Sequence, residues 1–134
     1  MATDDDRVLC CRLPASERGL AQLGPWVDAV CAKSNLDPQM EYALRLCLEE
    51  VVANVVMHGA APGTTIALSV QVGCELITVR IDDEGAPFDP TAAPPVRMPQ
   101  GEGGRGLTLL RRYARTITYR REPGWNRLTL TLAR

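Results

Sequence analysis

The stretch from Leu46 to Gly59, LCLEEVVANVVMHG, constrains the fold most, because its pattern is helical and largely apolar and yet includes polar side chains. The helix to which it belongs opens further upstream, at Asp37. Asp37 is a good N-cap, Pro38 suits the first helical position, and Gly59 suits the stop. The sequence therefore predicts one long helix over residues 37–59.

Two polar side chains lie one turn apart on the apolar side of this predicted helix. They are Glu50 and Asn54, and their apolar-side neighbours are Ala43, Leu46, Cys47 and Met57. Burial of an unpaired carboxylate lowers the stability of the folded protein, so the position of Glu50 and Asn54 on the apolar side requires an explanation. One explanation is a functional site in which Glu50 is a base, Asn54 gives an oxygen to a metal and His58 lies at the rim. The other is a hydrogen-bonded pair that fixes helix packing.

Length and composition indicate a single domain over residues 1–134, with a core of ordinary size. A net charge of −1 gives no reason to expect direct binding of nucleic acid. Five cysteines without a C-x-x-C pair, and a single histidine, make a zinc site unexpected; most of the cysteines fit small core positions. Such cysteine use fits a reducing compartment, and no signal peptide or membrane span is visible, so a cytoplasmic protein is expected.

The rest of the chain supplies strands, one further helix before the long one and one after it. Ser16 can cap a helix that runs to about Ser34, in which Pro25 predicts a kink or a late start. Alternating apolar residues predict strands at 7–13, 66–72, 77–81, 116–121 and 126–132. The predicted order is β, α, α, β, β, lid, α, β, β. This order predicts an α+β fold, a two-layer α/β sandwich with a mixed, mainly antiparallel sheet and the helices on one face.

An acidic residue continues the apolar side of the third predicted strand. Side chains two apart share a face of a strand, so Asp83 follows Ile77, Val79 and Ile81 into the interior. The next segment, residues 84–104, is rich in proline and glycine, which excludes a helix or a central strand. Loops of this length in a compact domain are usually lids or binding loops, and the alternative is a disordered surface excursion.

The end of this loop runs from glycines directly into a helical pattern, GEGGRGLTLLRRYAR. Glycines permit close approach of the backbone, and a helix N-terminus presents free N–H groups, so the junction predicts an anion site that Arg105 could reach. Basic residues are concentrated in this part of the chain. They form either a solvated helix and strand or a surface for phosphates or an acidic protein: Arg105, Arg111, Arg112, Arg115, Arg120 and Arg121.

Three motifs in this order resemble the GHKL (Bergerat-fold) ATPase superfamily, whose members share a histidine-kinase-like ATPase domain. The first has the form Glu50-x-x-x-Asn54-x-x-x-His58, the second is DEGAPFDP over residues 83–90, and the third is GEGGRGL over residues 101–107. The D-x-G-x-P-F-D-P form is most similar to the anti-sigma-factor serine/threonine-protein kinases of this superfamily. No G-x-x-x-x-G-K-[ST] loop is present.

The resemblance implies a binding site for ATP and Mg²⁺. Asp83 would accept a hydrogen bond from the adenine amino group, and Gly85 would let the backbone close on the purine. Asn54 would bind the Mg²⁺ that bridges the phosphates, and Glu50 would take the proton from the attacking hydroxyl or water. The backbone N–H groups of residues 104–107 would hold the phosphates. Besides Asn54, Asp83 and Gly85, the nucleotide-binding residues that the resemblance implies are His58, Phe88, Gly101, Gly103, Gly104, Arg105, Gly106, Leu107 and, from a weaker motif on the last strand, Thr129 or Thr131.

The function implied is that of an ATP-binding anti-sigma factor and protein-serine kinase. Such a protein binds a sigma factor or similar regulator and phosphorylates a small anti-anti-sigma (STAS) antagonist, and homodimers are common among relatives. No helix with a phosphoacceptor histidine precedes the domain, so we do not expect a complete histidine kinase. The alternatives are a nucleotide-gated binding module without turnover, and a stand-alone ATPase or detached histidine-kinase-like domain.

Overall fold

The computed structural model of the protein describes residues 7–58, 61, 63–92 and 103–134, with only the backbone described for Arg7 and for residues 103–107. Eight elements follow one another in the order that the sequence predicts. They are β1 (Arg7–Pro14), α1 (Glu17–Ser34), α2 (Pro38–His58), β2 (Thr65–Val72), β3 (Leu76–Asp83), α3 (Gly103–Tyr113), β4 (Thr116–Glu122) and β5 (Trp125–Ala133).

The five strands form one sheet in the order β1-β2-β3-β5-β4. Every pairing among these strands is antiparallel, so the expected mixed sheet is wholly antiparallel in the described chain. Two pairs of consecutive strands are hairpins, β2 with β3 and β4 with β5, whereas α1 and α2 connect β1 to β2, and the lid segment and α3 connect β3 to β4. The pairing of β3 with β5 joins the two hairpins in one sheet, with β1 and β4 at its edges.

One face of the sheet is buried and the other is open, as an antiparallel sheet permits. Strands β2, β3 and β5 each bury alternate residues, and these join residues of α1 and α2 in one apolar cluster. The opposite face is half-buried or exposed and carries threonines and charged residues, among them Arg80, Asp82, Arg127 and Thr129. The protein is therefore a two-layer α+β sandwich, with its core between the helices and one sheet face.

The long helix begins as predicted, whereas α1 corrects two expectations. The side-chain Oδ1 of Asp37 accepts a hydrogen bond of 2.8 Å from the Met40 N–H, which is an N-cap contact. Ser16 occupies the N-cap position of α1, as predicted, but its side chain makes no capping hydrogen bond. A late start at Pro25 is wrong, because α1 runs from Glu17 through Pro25 to Ser34. The helix tolerates Pro25 because that residue and Ala21, whose carbonyl loses its partner, are exposed to water.

Two further expectations were that α2 stops at Gly59 and that the chain contains no membrane span. Gly59, the predicted stop, lies outside the described residues, and α2 is described as far as His58. None of the described helices combines the length with the apolar character that a membrane crossing requires.

The cysteines divide into two groups. Cys31 and Cys47 are buried in the core, as expected, whereas Cys10 and Cys74 are exposed and Cys11 is half-buried. All five are free thiols. Cys10 and Cys11 are neighbours on the edge strand β1, so their side chains point to opposite faces of the sheet.

We predict that a thiol reagent at about pH 8 modifies Cys10 and Cys74 first and Cys47 last. Burial, followed by the nearby charge of Glu50, raises the pKa of Cys47 to about 11, so its reactive thiolate is scarce until the pH approaches that value. A time course of alkylation, read by peptide mass spectrometry, measures the order. Modification of Cys47 as fast as Cys74 would contradict the packing of α2 described above.

Helix α1 approaches β1 so closely that one position has no room for a side chain. A Cβ atom added to Gly19 would lie 1.9 Å from the Pro14 carbonyl oxygen. We predict that Gly19→Ala lowers the free energy of unfolding by about 1–3 kcal/mol, the usual cost of overpacking. Urea denaturation measures this loss.

The matched control for this substitution is Gly24→Ala in the same helix. Apart from its chain neighbours Leu23 and Pro25, a Cβ at Gly24 meets no atom within 4 Å. The gain in helix propensity is opposed by the restriction that Pro25 places on a side chain before it, so this variant is expected to change the free energy of unfolding by less than about 1 kcal/mol. Equal stabilities for Gly19→Ala and Gly24→Ala would show that the contact between α1 and β1 is looser than described.

Candidate functional site

Two polar residues are buried in the described core, and they face each other across neighbouring strands. Asp83, at the end of β3, is 6% exposed, and Asn126, near the start of β5, is 4% exposed. They are register partners, and each continues the buried side of its strand. Asp83 therefore points into the interior, as the alternation of β3 predicts.

One oxygen of the Asp83 carboxylate is occupied and the other is not. Oδ1 accepts a hydrogen bond of 2.8 Å from the Gly85 backbone N–H and one of 3.1 Å from Nδ2 of Asn126. Oδ2 has no hydrogen-bond partner among the described residues. A carboxylate oxygen without a protein partner, on a residue that is only 6% exposed, is a strong acceptor for any donor that enters the site.

Asn126 is the residue that the sequence analysis missed. Its Nδ2 donates to Oδ1 of Asp83 and, at 2.8 Å, to the Ala86 carbonyl oxygen. Its Oδ1 accepts from the Phe88 N–H at 3.2 Å and from the Tyr119 hydroxyl at 2.6 Å. The signal was present in the sequence, because the alternation of Leu128, Leu130 and Leu132 continues back to Asn126 on the same face of β5.

A third strand contributes a cation to the same network. Nη1 of Arg121, on β4, donates at 2.9 Å to the Gly85 carbonyl oxygen and at 3.2 Å to Oδ1 of Asn126. The loop that follows β3 is thus held at several backbone atoms by side chains of β4 and β5. This loop is the first part of the predicted lid, and residues 84–92 contain no helix or strand.

A small cavity lies beside this network, between α2 and the sheet. It encloses about 20 Å³ of free space, enough for about one water molecule and too little for a purine ring. Its walls are largely apolar, with the polar groups of Asn54, Asp83 and Asn126 among them. The lining residues are Val51, Asn54, Val55, Ile81, Asp83, Phe88, Pro90, Tyr119, Asn126 and Leu128.

Phe88 contacts both this cavity and the last residue of α2. Its ring stacks on that of His58, with ring centroids 5.1 Å apart and ring planes at 17°. Phe88 also lines the cavity, whereas His58 is exposed and does not line it. The stack therefore ties the start of the lid segment to the end of the long helix.

The polar pair of α2 lies at the edge of the buried face instead of within it. Glu50 and Asn54 are half-buried, and the helix buries a side centred on Leu44, Leu48 and Val51. No hydrogen bond joins Glu50 to Asn54 in the described structure, so the explanation as a hydrogen-bonded packing pair finds no support. Asn54 lines the cavity and Glu50 lies one turn before it.

Met57 corrects another expectation about this helix. The residue was placed on the apolar side, yet it is 59% exposed. Because the last turn of α2 extends past the sheet core, its side chains border the lid segment and solvent.

The second glycine motif forms the start of α3, which begins at Gly103. Gly103 and Gly104 were assigned to the lid, and the structure places them in the first helical turn. There the N–H groups lack intrahelical acceptors, which is the geometry predicted for an anion site. Leu107 lies one turn further in, where a regular helix bonds its N–H to the Gly103 carbonyl, so its predicted phosphate contact is less well supported. Gly101 and the side chain of Arg105 lie outside the described residues.

Thr129 does not belong to this site. It lies on the open face of β5, as does Thr131, whereas Asp83 and the cavity lie on the buried face. The prediction that Thr129 contacts a nucleotide is wrong because side chains alternate along a strand. Asn126 is the polar residue of the last strand that lines the cavity, beside Leu128 of the same strand.

Comparison with known proteins places this arrangement in a family. A family model described as the histidine kinase-like ATPase domain matches residues 13–132. Among curated proteins, the serine/threonine-protein kinase BtrW of Bordetella bronchiseptica is 33% identical over 113 residues, which cover 79% of this chain and 80% of that protein.

A solved structure shares the fold. The structure of the RsbU and RsbW domains of Rv1364c from Mycobacterium tuberculosis matches with a TM-score of 0.61 and 21% sequence identity. The match covers 96% of this chain and 32% of that chain. The protein described here thus spans about a third of the matched chain, and the likeness supports the two-layer fold.

Proposed function

Since the chain belongs to the histidine kinase-like ATPase family, the GHKL ATPases, we propose that it is an ATP-binding anti-sigma factor and protein-serine kinase. In this proposal it phosphorylates a STAS-type anti-anti-sigma antagonist and binds a sigma factor or similar regulator. The observation that carries the proposal is the carboxylate of Asp83, which lines an apolar cavity, is held at Oδ1 by Asn126 and Gly85, and has no described partner at Oδ2.

The chemistry of this acceptor suits adenine. A carboxylate oxygen in an apolar cavity favours a ligand that presents an N–H donor, and the adenine amino group is such a donor. The apolar walls, including Val51, Val55 and Ile81, offer surfaces for a flat ring. Since the cavity now has room for only about one water, entry of the base requires the Phe88 ring and its loop to move outward.

The described residues fit a magnesium ion only as part of a nucleotide complex. They contain no group of three acidic, histidine or cysteine side chains that could hold a metal. Mg²⁺ is usually held by one or two protein oxygens together with substrate phosphates, which agrees with a single protein ligand, Asn54. When bound, the ion neutralises charge on the phosphates.

Glu50 is the base in this proposal. It is half-buried and makes no hydrogen bond or ion pair with the described residues, so its carboxylate is available to accept a proton. It lies one turn from Asn54, on the same edge of α2. Phosphoryl transfer needs mainly positioning of the reactants and neutralisation of charge. Glu50 as the base, together with the backbone N–H groups at the start of α3 as phosphate ligands, would therefore be sufficient for the reaction.

The relatives support the kinase part of the proposal. The printed name of BtrW is that of a serine/threonine-protein kinase, and its similarity extends over most of both chains. The motif of residues 83–90 resembles that of anti-sigma-factor kinases, which motivates the STAS antagonist and the sigma factor as partners.

We predict that Asp83→Asn weakens ATP binding by about 10–100-fold, which corresponds to loss of one hydrogen bond to a charged group. The substituted amide can keep its oxygen on the Gly85 N–H, and it then turns a donor towards the adenine amino group. Calorimetric titration with ATP and Mg²⁺ measures the affinity.

The matched control is Asp82→Asn, one residue earlier and on the open face of the sheet. Asp82 pairs with Arg80 and Arg127 and does not line the cavity, so its substitution is expected to leave ATP binding unchanged. Absence of ATP binding by the wild-type protein would overturn the proposed function itself.

We predict that Glu50→Gln lowers the rate of phosphate transfer to a STAS-domain partner by about 10²–10⁴-fold, the usual contribution of a general base. ATP binding is expected to persist, because Glu50 does not line the cavity. Radiolabelled ATP and STAS-domain proteins from the same genome provide the assay, with the exposed neighbour Glu49→Gln as control. Phosphate transfer at the wild-type rate by Glu50→Gln would contradict the role of Glu50 as the base. Tight binding of ATP by the wild-type protein without any transfer would favour a binding module over a kinase.

A further inference from the structure

Three side chains form one row across the second half of the sheet. Asp83 of β3 is the register partner of Asn126 of β5, and Asn126 is the register partner of Arg121 of β4. All three point to the cavity side. An acid, an amide and a cation therefore lie side by side, with the amide between the two charges.

The amide of Asn126 has one favourable orientation in this row. Its Oδ1 accepts from three donors, namely the Phe88 N–H, the Tyr119 hydroxyl and Nη1 of Arg121. The opposite orientation would turn the NH₂ group towards these donors and the oxygen towards the Asp83 carboxylate. Arg121 supplies the only charged donor of the three, and hydrogen bonds to charged groups are roughly twice as strong as neutral ones.

Arg121 also fixes the glycine that contacts Asp83. The Gly85 carbonyl accepts from Nη1 of Arg121, while the N–H of the same residue donates to Oδ1 of Asp83. The peptide groups on both sides of Gly85 are thus fixed relative to the carboxylate. Arg121 therefore acts on Asp83 by two routes, through the Asn126 amide and through the Gly85 backbone.

We infer that Arg121 is a positioning residue for recognition of the nucleotide base, an inference that rests on the function proposed above. By orienting Asn126 and Gly85, it keeps two donors on Oδ1 of Asp83 and leaves Oδ2 as the acceptor for a ligand in the cavity that Asp83 lines. A ligand with an amino group at that point is accepted. One with a carbonyl oxygen there, as in guanine, meets a carboxylate and is rejected.

The alternative is that Arg121 only covers part of the sheet with its aliphatic stem. Arg121→Met keeps much of that stem and removes the guanidinium, and Arg121→Lys keeps the charge but not the planar group that makes two bonds. The matched control is Arg120→Met, because Arg120 points to the open face and its nearest acidic partner, Glu122, is 3.9 Å away. Urea unfolding of each variant reports any general loss of stability.

The experiment is calorimetric titration of ATP and of GTP, each with Mg²⁺, into the full chain and its variants. We expect Arg121→Met to weaken ATP binding about 10-fold and to lower the preference for ATP over GTP, with Arg121→Lys intermediate and Arg120→Met like wild type. Where transfer is measurable, KM for ATP rises while kcat at saturation stays unchanged, which loss of packing alone would not produce.

Two outcomes overturn the inference in different ways. If the wild type binds ATP and Arg121→Met retains both its affinity and its preference over GTP, Arg121 has no positioning role and the proposed function stands. If the wild type binds neither nucleotide, the proposed function and the inference both fail. If Arg121→Met is too unstable to titrate, the Arg121→Lys variant provides the test. An unchanged preference for ATP over GTP in that folded variant would contradict a role for the planar guanidinium.

Discussion

The contact between Asp83 and Asn126 is the interaction on which the rest of the site depends. A carboxylate buried without a partner is strongly destabilising, and this one is stabilised by the amide at 3.1 Å and by the Gly85 N–H at 2.8 Å. The same amide bonds the Ala86 carbonyl and the Phe88 N–H. One interaction therefore makes the buried charge tolerable, joins β3 to β5 and fixes the path of the chain as it leaves the sheet.

The way α2 lies on the sheet explains why an opening exists at this point. The helix buries its central apolar side, and the edge that carries Glu50 and Asn54 is left beside the end of β3. Close packing elsewhere, such as the approach of α1 to β1 at Gly19, leaves little freedom to shift the helices. Polar groups from helix and sheet thus meet at one edge of a core that is otherwise apolar.

Periodicity in the sequence predicted most of the architecture, because the strands alternate clearly and α2 has a strong start at Asp37. It also predicted the inward direction of Asp83. The final strand was misjudged because Thr129 was chosen by resemblance to a weak motif, while alternation from Leu128 would have selected Asn126. The role of Arg121 was beyond sequence reasoning, since it depends on the register of β4 on β5 and on the path of a loop that no local pattern specifies.

The stack of Phe88 on His58 has a thermodynamic consequence for any ligand of the cavity. With the ring in place there is about 20 Å³ of free space, so a bulkier ligand would require the walls of the cavity, among them the Phe88 ring, to move apart. The apparent dissociation constant then equals the intrinsic one divided by the fraction of molecules in that open form. For the proposed nucleotide, affinity would then depend on the free energy of opening this site as well as on the contacts that the ligand makes.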